Sequence, residues 1–459
     1  MAPAEPKDSE PAELRGVHYR ARVAEGARTI DVTLCFDGTP SGMLVPGTPD
    51  AIAYLENPRV AEGPPLPLHE RGVLLDPVDD GCMAYTIDLE AMARAERSTR
   101  RIRWVGDSVL VQPSAWLWRP ERLHRNVELT LSFELPDDTV ASVPWPRERD
   151  GYRLDATAFR WLSWSIFGSA PVQRFHAAGA EVELVVLDAP IAATPEGLRA
   201  WATDAAQSVA LLYGTFPRDH LQIVVVPVTG GGGTIYFGAA GRGGGSGVYI
   251  LMDASARDDQ LLGGWTTAHE LLHHGLPFVG DAWMSEGWVS YYTEVVRTRM
   301  GHRSEREGWS KLREAFERGQ RDWRGVTLAS LSERMHQTRA YHGVYWGGAA
   351  VAFLLDVALR EDSAGAVSLD DAMRELRRCC GDARVKWSAS DLLEHLDAWY
   401  GKPIFTTTAR EHLERSTFPP VEQAFTRLGV RFDDGDVIID ESHPASASRR
   451  SIMAPLRSP

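Results

Sequence analysis

The period of the hydrophobic positions changes partway along this chain. From about residue 15 to 187, apolar and polar side chains alternate in short runs, such as Val17, Tyr19, Ala21 and Val23, or Ile30, Val32, Leu34 and Phe36. Gly, Pro and Asp punctuate them. A period of two sends successive side chains to opposite faces of a strand, so this half predicts an antiparallel β sandwich. Residues 89–103, rich in Ala and Arg, predict one helix within it.

Near Pro190 the pattern changes. Thr194 and Pro195 open a helix as N-cap and first residue, and Leu198, Trp201, Ala205, Val209 and Leu212 recur at helical spacing. The apolar run 221–226 predicts a buried strand, 229–247 a glycine-dense loop, and 248–252 another strand. Beyond Asp258 helical periodicity dominates to about residue 430. The last segment, 433–459, predicts a short strand and a loose tail, and residues 1–14 a disordered lead. The expected fold class is α+β and multidomain: a β sandwich over 15–187, a central unit over 188–360 and a helical domain over 361–432.

Composition narrows the function classes. The chain has 459 residues, 44% hydrophobic and 24% charged, with a net charge of −14, which argues against nucleic acid as a partner. The positive charge is almost all arginine; there are four lysines. Four cysteines are too few for a disulfide framework: Cys35 and Cys82 read as ordinary buried thiols, and adjacent Cys379 and Cys380 do not easily bridge each other. No secretory leader and no run of about 20 apolar residues is evident, so a cytoplasmic protein without a membrane span is expected. The glycine-dense stretch lacks the Gly-Lys-Ser/Thr ending and the G-x-G-x-x-G spacing of nucleotide loops. Beside an edge strand, such a stretch could accept a substrate in extended form.

The candidate chemistry lies in the helical half. His269, Glu270 and His273 form His-Glu-x-x-His in an apolar setting that includes Leu261, Leu262, Trp265, Leu271 and Leu272. Positions i and i+4 share a helix face, so both imidazoles can meet one zinc ion, with Glu270 beside them as general base. A catalytic zinc takes three protein ligands and keeps one position open. Candidates for the third are Asp281, Glu286 and Glu294; Glu286, after 12 intervening residues, is favoured over Glu294, and Asp281 fits a turn or cap. A rival reading makes Thr267 and Glu270 a capping box, with Glu270 structural. Hydrolysis also needs a donor for the oxyanion. The best source is the segment 341–348, although its tyrosines read equally as buried aromatics at a helix start.

His269, Glu270 and His273, then Ser285, Glu286, Gly287 and Trp288 leading into Tyr291 and Tyr292, resemble the glycyl aminopeptidase family of gluzincin zinc metallopeptidases, related to the alanyl aminopeptidases. The resemblance implies one zinc held by His269, His273 and Glu286, with Glu270 as base. Tyr345, Trp346, Gly347 and Gly348 look like the family's Tyr-x-Lys-Gly segment, which makes Tyr345 the oxyanion donor. It implies an N-terminal β domain, a thermolysin-like catalytic domain over 188–360, a C-terminal helical domain and a peptide substrate. Arg242, Gly243, Gly244, Gly245 and Tyr341 are the candidate substrate contacts.

The chain also departs from the family's pattern. The spacing from His273 to Glu286 is shorter than usual, and Gly347 stands where the family has Lys. Residues 238–247 carry no acid of the kind that holds a free α-amine, and Arg242 has the opposite charge. Too few residues follow about 430 for the family's common C-terminal peptide-binding domain. A non-cleaving peptide or partner binder, or a hydrolase of non-peptide substrates, is the alternative.

Overall fold

A computed structural model describes residues 14–455 apart from 76–77, 79–80, 96–100, 160–161, 231–232, 243–244, 324 and 383–384. The expected disordered lead falls outside the described residues, except for Leu14, which is buried. In the N-terminal half the period-two runs are strands. Along Gly16–Val23 the residues Val17, Tyr19, Ala21 and Val23 face the core while His18, Arg20 and Arg22 face solvent. Seven strands form the main sheet, with Gly16–Val23 at its centre, and two four-stranded sheets complete the half. The expectation of a purely antiparallel sandwich needs correction, because Gly16–Val23 runs parallel to Glu128–Glu134. A parallel pair needs a long crossover, and the intervening chain supplies it. Of the helix expected over 89–103, Leu89–Ala95 is helical, residues 96–100 lie outside the described residues, and Ile102–Val105 is a strand.

The cysteines also differ from expectation. Register sets Cys35 opposite Cys82 on neighbouring strands, and the two form a disulfide. Cys379 and Cys380, at the end of the helix Leu369–Cys380, are bonded to each other. Cross-strand register is a tertiary property, so the linear sequence did not reveal the first pair.

The central sheet has five strands in the order Val172–Ala177, Ala180–Val186, His220–Val228, Ser246–Asp253 and Ile235–Arg242. Its three inner strands are parallel and both edges antiparallel. Parallel strands covered on both faces read as unbroken apolar runs, and alternation sorts these residues between two cores. Val182, Leu184, Ile223 and Val225 join the helical core. Val185, Val224, Val226 and Tyr249 pack with Leu110, Trp164 and Ile166 of the N-terminal half. Each fully buried aliphatic side chain contributes roughly 1.5–3 kcal/mol, so this second face holds the two halves together. Residues 172–186, expected in the β sandwich, therefore belong to the central sheet.

The expected glycine-dense loop contains a strand, Ile235–Arg242, at the sheet edge. Its glycines serve close approach. A Cβ on Gly238 would lie 2.6 Å from Glu270 Cγ, and one on Gly241 would lie 2.6 Å from the Leu162 carbonyl. The strand is thus held between a helix on one side and the N-terminal half on the other.

From Asp258 to Arg427 the regular structure is helical. The helix Pro195–Tyr213 starts as expected, with the Thr194 hydroxyl accepting from the Gly197 N–H at 3.0 Å. The helices Ala282–Arg299 and Tyr341–Asp362 cross at two glycines. A Cβ on Gly348 would come 1.8 Å from the Trp283 carbonyl oxygen, and one on Gly287 would come 2.4 Å from Gly348 Cα. Tyr341–Asp362 is the one described helix long and apolar enough to cross a membrane; here it is the buried centre of the helical core. The expected boundary at 360 falls inside it, and residues up to Met453 share its core. The expected loose tail is a hairpin, Val430–Asp433 with Asp436–Ile439, followed by the helix Ser446–Met453. Its Arg449 is fully buried and donates to Glu305, Glu441 and the Asp440 carbonyl. A polar tail folds here because Ile452 and Met453 are buried in the helical core and Arg449 finds three acceptors.

Candidate metal centre

The His-Glu-x-x-His segment lies on the helix Trp265–Leu272, with His273 as its last αR residue. Helical structure was expected from Asp258 apart from Gly263 and Gly264, and it breaks there and at Leu262, with Gly263 at φ +65°. Asp204 holds this break: one carboxylate oxygen accepts the Gly263 N–H at 3.1 Å and the other pairs with His302 at 2.9 Å. Gly264 is the N-cap, and no side chain caps the helix. The capping-box reading of Thr267 and Glu270 therefore fails, and Glu270 is free of that role.

His269 and His273, one turn apart, stand with ring centroids 4.9 Å apart and planes perpendicular. Both are buried. Glu286, on the first turns of Ala282–Arg299, meets them: its Oε2 lies 3.2 Å from His269 Nε2 and 3.4 Å from His273 Nε2. The three donor atoms lie within 4.8 Å of one another. The other two acids are engaged elsewhere. Asp281 is the N-cap residue of its own helix, but its side chain accepts instead from the Ala389 N–H, at the start of the helix Ala389–Tyr400, at 2.8 Å. Glu294 is buried between Arg297 and Arg303.

Burial and charge tune these groups. Burial pushes the His273 imidazole down to about 4, so it stays neutral at neutral pH, as a metal ligand must. Burial alone would raise Glu286, yet the adjoining histidines hold its carboxyl well below the usual range. Burial pushes Glu270 up to about 7, opposed by His269 and by the Ala240 backbone N–H on its carboxylate. One side chain the sequence reading missed is Thr293. Its hydroxyl donates to the Val289 carbonyl at 2.7 Å, which leaves a lone pair facing His269 Nδ1 at 3.5 Å. A donor Nδ1–H turns the bare Nε2 towards Glu286. The available signal was spacing, since Thr293 lies seven residues beyond Glu286, two turns along the same helix.

The crossing at Gly287 and Gly348 brings Tyr345 to the triad. Its ring stacks on His269 at 5.7 Å with an 8° interplanar angle, and Trp265 stacks on His269 at 4.4 Å. The Tyr345 hydroxyl bonds to Glu286, and burial raises its pKa, so the phenol keeps its proton. Tyr341 sits one turn earlier and is exposed. Arg242, the last residue of the edge strand, lies over the Phe278 ring at 5.2 Å, and the charges acting on it are Glu286 and Glu270. Gly245 packs against Pro144 and lines a cavity of about 460 Å³ with Arg218 and His220, away from the triad. Gly243 and Gly244 lie outside the described residues.

No protein-family model matches this chain, and no curated protein matches it. Solved structures do. An aminopeptidase N family protein from Idiomarina loihiensis is similar at TM-score 0.66 and 15% identity, over 90% of this chain and 78% of that one. An M1 zinc metallopeptidase from Deinococcus radiodurans is similar at TM-score 0.54 and 14% identity, over 89% of this chain and 94% of that one. A two-domain M1 zinc metallopeptidase solved with L-arginine gives TM-score 0.57 at 14% identity, over 89% and 95%. The fold is thus the one these zinc metallopeptidases share.

Proposed function

We propose that this chain is a zinc-dependent peptidase, aminopeptidase-like in architecture, with a thermolysin-like catalytic unit. The observation that carries the reading is the convergence of His269 Nε2, His273 Nε2 and Glu286 Oε2 within 4.8 Å, with Glu270 and Tyr345 beside them. Two neutral imidazoles and one carboxylate, buried and borne on packed helices, fit zinc in donor type and number. Bound there, zinc would polarise a substrate carbonyl and acidify a water.

The chain's own residues do the rest. The Glu270 carboxylate, steadied by the Ala240 N–H, takes the proton of the attacking water and delivers it to the leaving amine. The Tyr345 hydroxyl, carried on a buried helix, donates to the oxyanion as it forms. The edge strand Ile235–Arg242 offers its backbone to an extended peptide. Trp265 and Tyr345 sandwich His269 and help keep bulk water from the triad.

The test is metal analysis of the purified protein, followed by amine release from a mixed peptide library with and without chelator. One zinc per chain and chelator-sensitive release are expected. Glu270→Gln should keep the zinc and lose turnover by about 10²–10⁴-fold. Stoichiometric zinc with no cleavage of any peptide would favour a binding protein on a peptidase fold.

A further inference from the structure

The edge strand carries an unusual charge into the candidate active site. Alternate residues face opposite ways: Phe237 and Ala239 pack with Trp164 and Tyr249 against the N-terminal half, whereas Gly238 and Ala240 lie against Glu270. Arg242 continues the second series and is on the same side as Glu270 and Glu286. Among the described residues no ion pair within 4.0 Å involves it, although all four of its strand neighbours from Gly238 to Gly241 are small. Its Nη1 is shut off from solvent and has no hydrogen-bond partner, while the residue as a whole is partly exposed. The Phe278 ring beneath the guanidinium holds its plane and takes part of the charge.

A guanidinium drawn out of water is costly unless an anion meets it, and carboxylate matches its planar fork. The two nearby acids do not serve. Glu286 is committed to the histidines, and Glu270 faces the Ala240 N–H. From the described part of the strand, Ile235–Arg242, no Asp or Glu enters the cleft to hold a substrate's ammonium group.

We infer that Arg242 is the substrate anchor of this site and that it selects peptides carrying a carboxylate close to the scissile bond. The inference rests on the peptidase reading for the site's role but adds its specificity. The carboxylate has two sources, an acidic side chain or the peptide's own C-terminus. A free N-terminal amine is not the recognised group.

Two measurements separate this inference from the peptidase reading. Binding is followed by calorimetry on the zinc-loaded Glu270→Gln protein, with Ala-Ala-Glu, Ala-Ala-Gln and the C-terminal amide of each. Turnover of the same four peptides, with free and acetylated N-termini, is followed on the wild-type protein. Peptides with a carboxylate should bind roughly tenfold to a hundredfold more tightly than the one without. Discrimination by Gln against Glu assigns the side chain, and by amide against acid the C-terminus. Adding Arg242→Gln should erase the difference, Arg242→Lys should retain part of it, and acetylation should change little. Unchanged zinc content and melting temperature in Arg242→Gln exclude misfolding; should that variant misfold, Arg242→Lys decides. Equal binding of all four peptides, or a preference lost on acetylation, overturns the inference even if turnover is high. Carboxylate discrimination through Arg242 without turnover upholds it and defeats the peptidase reading.

Discussion

The triad His269, His273 and Glu286 and the group Glu375, Cys379 and His395 meet the same geometric condition, since the donor atoms of each lie within 4.8 Å of one another. Their surroundings differ. The triad's imidazoles are buried, and among the described residues no arginine or lysine forms an ion pair with Glu286. In the second group Glu375 takes a two-pronged contact from Arg378 at 2.8 Å and 2.8 Å, and a third from His395 at 2.7 Å. Cys379 Sγ is bonded to Cys380. Closeness therefore does not make a metal site. The donors must be free of competing cations and covalent bonds, shielded from water and held by packed elements. The second group is an ion-pair cluster at the end of a helix, of the kind that contributes little to stability.

Substitutions can break or sharpen this contrast. The largest effect is expected from Glu286→Ala, which should lose zinc by more than the roughly 10–100-fold that outer-shell partners command. Its control, Glu294→Ala, should keep zinc and lower the melting temperature, because Arg297 and Arg303 lose their buried partner. Competition with a zinc chelator reads the first, and thermal denaturation the second. Next comes Thr293→Val, which removes the acceptor facing His269 Nδ1 and should weaken zinc about 10–100-fold with little loss of fold. Gly348→Ala attacks the packing that brings Tyr345 to the triad. A methyl group 1.8 Å from the Trp283 carbonyl should cost about 1–3 kcal/mol in denaturant titration, and slow turnover as the helices part. The smallest effect belongs to the second group. His395→Ala should leave zinc content unchanged and alter stability by less than about 1 kcal/mol. Loss of zinc in that variant would reverse the comparison.

Much of the site was legible because its signals are short-range. The spacing of His269 and His273 guarantees a shared face on any helix, and Thr194 with Pro195 marks a helix start whatever surrounds it. Spacing and the family resemblance favoured Glu286 over Asp281 and Glu294, although all three are acids at reachable distances along the chain. Packing separated them, giving Asp281 to the Ala389 helix and Glu294 to two arginines. The glycine stretch misled because glycine has two uses. Flexibility suggested a loop, whereas close approach to Glu270 and Leu162 made it a strand. The tail misled likewise, because one of the acceptors of the buried Arg449, Glu305, is far away in sequence.

The sequence by itself determined the local devices: strands of period two, helices with their caps, and two imidazoles and a carboxylate on one turn. Each depends on neighbours a few residues away, whose geometry backbone sterics and hydrogen bonds dictate. Tertiary structure alone decided how Thr293, Trp265 and Tyr345 meet His269, what Asp281 and Glu294 bond to, and what Arg242 faces. Those relations join elements distant in the chain. Their distances follow from how glycines let helices cross and how two cores close on one sheet, which no local pattern encodes.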